Sequence, residues 1–281
     1  MLTDSAVGRK HKDVQDNPIA SVARAFNILE LLASSDGPKS LAEISQELGL
    51  APSTTHRFLK ALTALGFVSQ DSRTSLYRAT FKLFNLGRAV VSQFNLSERL
   101  LPVMRRIAEQ VGESVSLVLR QGVEGVLLER VQGRQGVQVF GEYRSNPLYC
   151  TAAGKAILSC FDDESLQEYL KHAPLKGLTQ YTLTNPADLK REVERIRREG
   201  FAIDNQELEM GAMCVAVPLM LANDLMAAIS VSALAPRMTE RRIREIVAIL
   251  NKALADAGLG SHGPRDACRQ LPTSKRRVEV R

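Results

Sequence analysis

The stretch Ser40–Leu65, SLAEISQELGLAPSTTHRFLKALTAL, decides the reading of this chain. Leu41, Ile44 and Leu48 recur at i, i+3 and i+7, a spacing that places side chains on one face of a helix. Gly49 ends the pattern, because glycine readily takes the left-handed conformation that closes a helix. Pro52 suits the first turn of a second helix. Phe58, Leu59, Leu62 and Leu65 form its predicted inner face. The outer face near its start carries Ser53, Thr54, His56, Arg57 and Lys60. This is the pattern of a helix-turn-helix, in which one helix braces and the second offers hydroxyls and cations to a DNA groove. Ser, Thr and Arg at the start of that second helix are the right types for phosphates and base edges. An ordinary helical hairpin with a solvated polar face shares the geometry, so the flanking sequence must separate the two readings.

Upstream, Ile19–Ala33 is predicted helical, with Val22, Phe26, Leu29 and Ala33 along one face. Ser34-Ser35-Asp36-Gly37-Pro38 is a loop. Downstream, Gly66 closes the second helix, and Phe67–Thr80 reads as a hairpin of FVSQ, DSRTS and LYRAT. A hairpin directly after a recognition helix is a wing. Arg73 and Thr74 at its tip, with Tyr77 and Arg78 on the return strand, are placed to touch the DNA backbone or minor groove. A solvated turn residue is the plainer reading of Arg73 taken alone. The expected DNA contacts are Arg24, Ser53, Thr54, Thr55, His56, Arg57, Lys60, Arg73 and Tyr77. Phe81–Phe94 carries apolar residues around more than one face, as expected of a linker helix covered on more than one side.

Beyond it the pattern changes. Ser97–Val111 is helical and ends at Gly112. Three strand-like runs follow, SVSLVLR (114–120), GVLLERV (125–131) and GVQVFGEY (136–143), separated by glycine-containing turns as in an antiparallel meander. TAAGKAILSCF (151–161) reads as a helix. Asn185-Pro186 opens another that Gly200 ends, with Arg195, Arg197 and Arg198 in its last turns, where the helix dipole favours cations. MCVAVPLM (213–220) and LMAAISVSAL (225–234) flank the turn LAND. Thr239 caps a final helix that Gly258 ends. The expected fold class is therefore α+β: an N-terminal winged helix-turn-helix over 18–80, a linker helix over 81–96, and a domain over 97–258 with an antiparallel sheet of five or more strands under helices. Residues 1–17 and 259–281 lack periodicity and read as disordered, the second as a basic tail.

Composition narrows the function. The chain has 281 residues, 44% hydrophobic and 24% charged, which is normal for a soluble protein of two domains. No apolar run approaches the ~18 residues of a membrane span, and the polar N-terminus lacks the core of a signal peptide, so a cytoplasmic protein with no membrane partner is expected. The net charge of +6 is unevenly placed. Residues 1–96 hold 11 Lys/Arg against 8 Asp/Glu, residues 97–258 hold 20 against 21, and residues 259–281 hold 6 against 2. A modest basic excess on the helix-turn-helix and the tail fits a nucleic-acid module joined to a near-neutral domain of another purpose. Cys150, Cys160, Cys214 and Cys268 show neither CxxC spacing nor a nearby histidine, so free thiols and no metal are expected. An enzyme is disfavoured. Of His11, His56, His172 and His262, none sits near Cys214 in sequence, and no P-loop or G-x-G-x-x-G is present. No cofactor is expected.

Taken together, IASVARAFNILELL, LAEISQELGLAPSTTHRFLKALTALGFV, TAAGKAIL, LKREVERIRREGFAIDNQELEMGAMCVAVP and AAISVSA resemble the IclR family of bacterial transcriptional regulators, over residues 19 to 257. The resemblance implies a GAF/PAS-like effector-binding domain, a homodimer or homotetramer, double-stranded DNA with a partly palindromic operator as partner, and a small organic acid as effector. It implies an effector pocket at the backbone amides of Ala152 and Ala153, with Asp204, Cys214, Ser230 and Ser232. Two departures stand out: Met213 where the family often has Arg, and Thr80-Phe81 where it often has Gly-Pro. The residues agree with the pocket. Ser230 and Ser232 are i, i+2 on a strand and face one side. Small residues at Cys214 and Ala216 leave room, and the start of the 151–161 helix is a natural anion site. Tight packing of that strand against a helix is the alternative for the serines, and a DNA-binding scaffold without an effector is the alternative for the whole.

Overall fold

Ser40 starts the second helix of the chain with a reciprocal cap: its hydroxyl accepts from Glu43 N, and the Glu43 carboxylate accepts from Ser40 N at 2.7 Å. A pair like this satisfies two amide donors that a helix start leaves over. The computed structural model describes residues 20–92, 96–135, 145–221 and 225–259. The chain divides between Phe94 and Asn95 into two compact units.

The first unit contains α1 (Ala20–Ser34), α2 (Leu41–Leu48), α3 (Pro52–Ala64), β1 (Val68–Gln70), β2 (Tyr77–Ala79) and α4 (Phe81–Ser92). Its core is Ile28, Leu29 and Leu32 of α1, Ile44 of α2, Leu59 and Leu62 of α3, and Val68 and Tyr77 of the hairpin. Gly49 closes α2 at φ 62°. β1 and β2 pair antiparallel, and Lys39 bridges to Tyr77 beside them. At the hairpin tip the Asp71 carboxylate accepts from Arg73 N and Thr74 N, both at 2.9 Å, which fixes the turn.

Two expected faces are corrected here. On α1 the buried stripe is Ile28, Leu29 and Leu32, while Val22 and Phe26 are 50% and 59% exposed. The helix carries two apolar stripes that share Leu29, and only packing chooses between them. On α3 the inward face is Thr55, Leu59 and Leu62, and Leu65 is 58% exposed. Thr55, Leu59 and Leu62 stand at i, i+4 and i+7, so the hydroxyl joins the core side of the helix.

The second unit contains α5 (Leu96–Val111), β3 (Ser114–Gln121), β4 (Glu124–Val131), β5 (Ser145–Pro147), a 3-10 turn (Leu148–Cys150), α6 (Ala152–Ser159), α7 (Asp163–His172), α8 (Pro186–Glu199), β6 (Ala202–Asn205), β7 (Ala212–Leu221), β8 (Leu225–Leu234) and α9 (Glu240–Asp256). The strands form one antiparallel sheet in the order β5-β4-β3-β8-β7-β6. α5 and α9 pack together against β3, β4 and β7, and α6 lies across β7, β8 and β6 with α8 beside it. Strand alternation divides the residues between the two sides. Val115, Leu117, Val215, Val217, Ile229 and Val231 take one phase, and Cys214, Ala216, Ala228, Ser230 and Ser232 take the other.

The short strands β5 and β6 escaped the sequence reading. The expected strand GVQVFGEY (136–143), the middle of the LAND turn and the chain ends 1–19 and 260–281 lie outside the described residues. Among the described residues no helix is long and apolar enough to cross a membrane.

Candidate functional site

α6 builds the site. All eight of its residues are buried. Gly154 is required by a close approach: a Cβ there would stand 2.2 Å from the Leu148 carbonyl oxygen. Thr151 caps the helix and its hydroxyl accepts from Gly154 N at 2.9 Å. The amides of Ala152 and Ala153, one and two residues past the cap, have no acceptor within the helix, and both residues line a cavity of about 60 Å³.

The sheet supplies the floor through its register. One rung runs Arg130, Ser116, Ser230, Ala216 across β4, β3, β8 and β7. The next runs Ser114, Ser232, Cys214, Asp204 across β3, β8, β7 and β6. Paired residues of antiparallel strands share a face, so hydroxyls, a thiol, a carboxyl and a guanidinium meet beneath α6. Ala152, Ala153, Asp204, Cys214, Ser230 and Ser232 all line the cavity, together with Ser116, Arg130, Asn146, Thr151 and Leu208.

The electrostatics are those of a binding site rather than a reacting one. Burial pushes the Cys214 thiol well above its ordinary value, so it stays protonated, and it donates to Ser232 Oγ at 3.1 Å. A protonated thiol is a poor nucleophile. Burial raises the Asp204 carboxyl to about 7, against the Glu207 amide and the Lys155 ammonium that pull it down. Asp204 Oδ1 accepts from Glu207 N at 2.7 Å. The Lys155 ammonium, 1% exposed, pairs with Glu207 and lies 3.7 Å from Glu192. The Thr179 and Thr182 hydroxyls donate to the carbonyls of Gln206 and Glu207 at 2.7 and 2.6 Å. The Lys155–Glu207 pair ties the segment carrying Asp204 and Leu208 to α6, and the two threonines tie it to the loop before α8. Among the described residues no cluster of His, Cys, Asp or Glu is arranged to hold a metal.

In the first unit, Ser53, His56, Arg57 and Lys60 are exposed and stand at i, i+3, i+4 and i+7, a single stripe along α3, with Thr54 half-buried beside it. Arg24 on α1 and Arg73 at the hairpin tip are also exposed. Two expected contacts are corrected. Thr55 is fully buried and donates back to the Ala51 carbonyl at 3.3 Å. Tyr77 is 6% exposed and belongs to the core, because alternation on β2 turns Tyr77 inward and Arg78 outward.

The sequence reading overlooked Arg130, Ser116 and Lys155. Alternation of Ser114, Val115, Ser116 and Leu117 carried a signal for Ser116. A lone lysine in an otherwise apolar helix carried one for Lys155. Nothing in GVLLERV marks Arg130 as facing a cavity.

Comparison with known proteins agrees with both units. The family model for the IclR helix-turn-helix domain matches residues 21–72, and the one for the bacterial transcriptional regulator IclR C-terminal matches residues 88–257. The HTH-type transcriptional regulator BhcR of Paracoccus denitrificans is 33% identical over 251 residues, 89% of this chain and 90% of that protein. The crystal structure of the Thermotoga maritima IclR superposes with a TM-score of 0.65 at 33% identity, covering 88% of this chain and 98% of that one. An IclR homolog from Microbacterium hydrocarbonoxydans, crystallised with 4-hydroxybenzoate, shares the fold at 22% identity with a TM-score of 0.71, over 89% and 99% of the two chains. With a helix-turn-helix in one unit, a capped cavity in the other and both domain models matched in order, this chain belongs to the IclR family of DNA-binding transcriptional regulators.

Proposed function

We propose that the cavity beneath α6 binds a small organic acid and that its occupancy alters operator binding. The observation that carries this reading is the composition of the cavity. Ala152 and Ala153, whose amides have no acceptor within the helix, line the same space as Ser230, a 5% exposed residue whose hydroxyl has no hydrogen-bond partner among the described residues. Donors that line a cavity without a protein acceptor suit a carboxylate. Asp204, Cys214 and Ser232 complete the site and would meet a hydroxyl or keto oxygen. The Microbacterium homolog, whose crystal holds 4-hydroxybenzoate, lends support from the same fold.

On the DNA side, Ser53, Thr54, His56 and Arg57 enter the major groove, Lys60 meets phosphates, and Arg24 and Arg73 add backbone or minor-groove contacts. The exposed apolar residues Val22, Phe26, Phe81, Phe84, Leu86 and Val90 support a homodimer or homotetramer on a partly palindromic operator. Two reading heads then have to match half-sites ~34 Å, or a multiple, apart. The effector acts by preferring one arrangement of those heads, and by no more than that preference.

Calorimetry of the full chain against a panel of short carboxylic acids tests this, with Ser230→Ala/Ser232→Ala as the comparison. The expected result is binding by the parent chain and at least ~tenfold weaker binding by the double variant. Equal affinity in both chains would reject the site.

A further inference from the structure

The cavity has two donor poles, and the first does not account for the second. One is the first turn of α6 with Ser230. The other is Arg130 on β4, whose Nε donates to Ser116 Oγ at 3.2 Å and which lines the same space. Resting on the effector reading above, we propose that the effector is a short dicarboxylic acid and that Arg130 is the residue that selects it, by engaging its second carboxylate.

The geometry sets the ligand's length. The contact with Ser116 brings the Arg130 side chain over β3, and Ser230 lies on the next strand, β8, in the same rung. Neighbouring strands are ~4.8 Å apart. A carboxylate over β8 and a second over β3 are thus separated by one strand spacing, a span for a chain of about four or five carbons. The volume agrees. At about 60 Å³ the cavity is small, which suits a short acid. The charges agree as well. Arginine presents a planar fork of donors that matches a carboxylate. The start of α6 carries the partial positive charge of its dipole. Asp204, on β6, lies four strands from β4 and so on the side of the cavity away from Arg130.

Matched acids that differ only in the second carboxylate provide the test: 2-oxobutyrate with oxaloacetate, and 3-hydroxybutyrate with malate. Affinities for the full chain are measured by calorimetry for the parent, Arg130→Met, Arg130→Gln and Arg130→Lys. The parent is expected to prefer the diacid of each pair by at least ~tenfold. That ratio should collapse towards one in R130M and R130Q and be partly restored in R130K. Because two neutral variants are used, a folding failure in one leaves the other to decide. Equal binding of both members of each pair, or a diacid preference that survives in R130M or R130Q, overturns the role of Arg130 while leaving a small-acid site in place. Binding of none of the acids overturns the effector reading and this inference with it.

Discussion

The Lys155 ammonium and the Glu207 carboxylate form a buried hydrogen-bonded ion pair that joins α6 to the segment after β6. Their side chains are 1% and 7% exposed. The pair therefore fixes two walls of the cavity relative to each other: the amides of Ala152 and Ala153 on one side, Asp204 and Leu208 on the other. Removing one partner strands a buried charge, which typically costs ~3–5 kcal/mol. Lys155→Met is expected to lower stability by that order in urea unfolding. A loss under ~1 kcal/mol, the value typical of exposed pairs, would mean that water already reaches the pair.

Asp204 gives the fold a pH dependence whose sign follows from its surroundings. Burial raises its carboxyl from 3.8 to about 7. Between those values the folded chain keeps a proton that the unfolded chain releases, so this group's contribution to stability falls as pH rises through the window and is level above it. Asp204→Asn keeps an oxygen to accept from Glu207 N and cannot ionise. Relative to the parent it should gain stability from about pH 4 to about pH 7, by on the order of 4 kcal/mol at most. Unfolding curves at both ends of the window check this. A constant difference between the two chains would place the Asp204 carboxyl near its ordinary value.

Arg57 and Thr55 make a sharp contrast two residues apart on α3. Arg57 is exposed on the stripe with Ser53, His56 and Lys60, whereas Thr55 is fully buried. Arg57→Ala is expected to weaken specific operator binding by ~1–3 kcal/mol. Thr55→Val should leave operator affinity within ~0.5 kcal/mol and act on thermal stability instead. Electrophoretic titrations with operator and random DNA distinguish the cases. An equal loss on both DNAs for R57A would show a phosphate contact rather than base reading.

Phe81 and Phe84, at the start of α4, are 85% and 62% exposed. Isolated exposed apolar residues are ordinary, but several together mark a surface that is covered in use. Phe84→Glu is expected to shift the chain towards monomer in sedimentation at micromolar concentration and to weaken operator binding at the same time. A parent chain that sediments as a monomer, or an F84E chain that still self-associates, would move the interface elsewhere.

How much of this was legible in the sequence depended on how far apart the deciding residues lie. The caps at Thr239 and Asn185 and the helix end at Gly49 are local, and the structure has them where the sequence placed them. The reciprocal partner of Ser40, Glu43, was equally local and was overlooked. The inner face of α1 was misread because Val22-Phe26-Leu29 and Ile28-Leu29-Leu32 satisfy helical spacing equally well. Thr55 was misread although its spacing to Leu59 and Leu62 was there to see, since a hydroxyl within a Ser-Thr-Thr run suggested a polar face.

The sequence by itself determined the helix-turn-helix, the hairpin after it and the α+β character of the rest, because helical and strand periodicities are set by neighbours three, four or two residues away. The tertiary structure decided which residues meet. Arg130, Ser116, Ser230, Cys214 and Asp204 come from five strands whose order follows no reading of the chain, and a slip of one residue in any pairing would turn its side chain to the opposite face. Pairing across the sheet and the burial of α6 above it brought a guanidinium, a helix start and a carboxyl raised to about 7 into one small space.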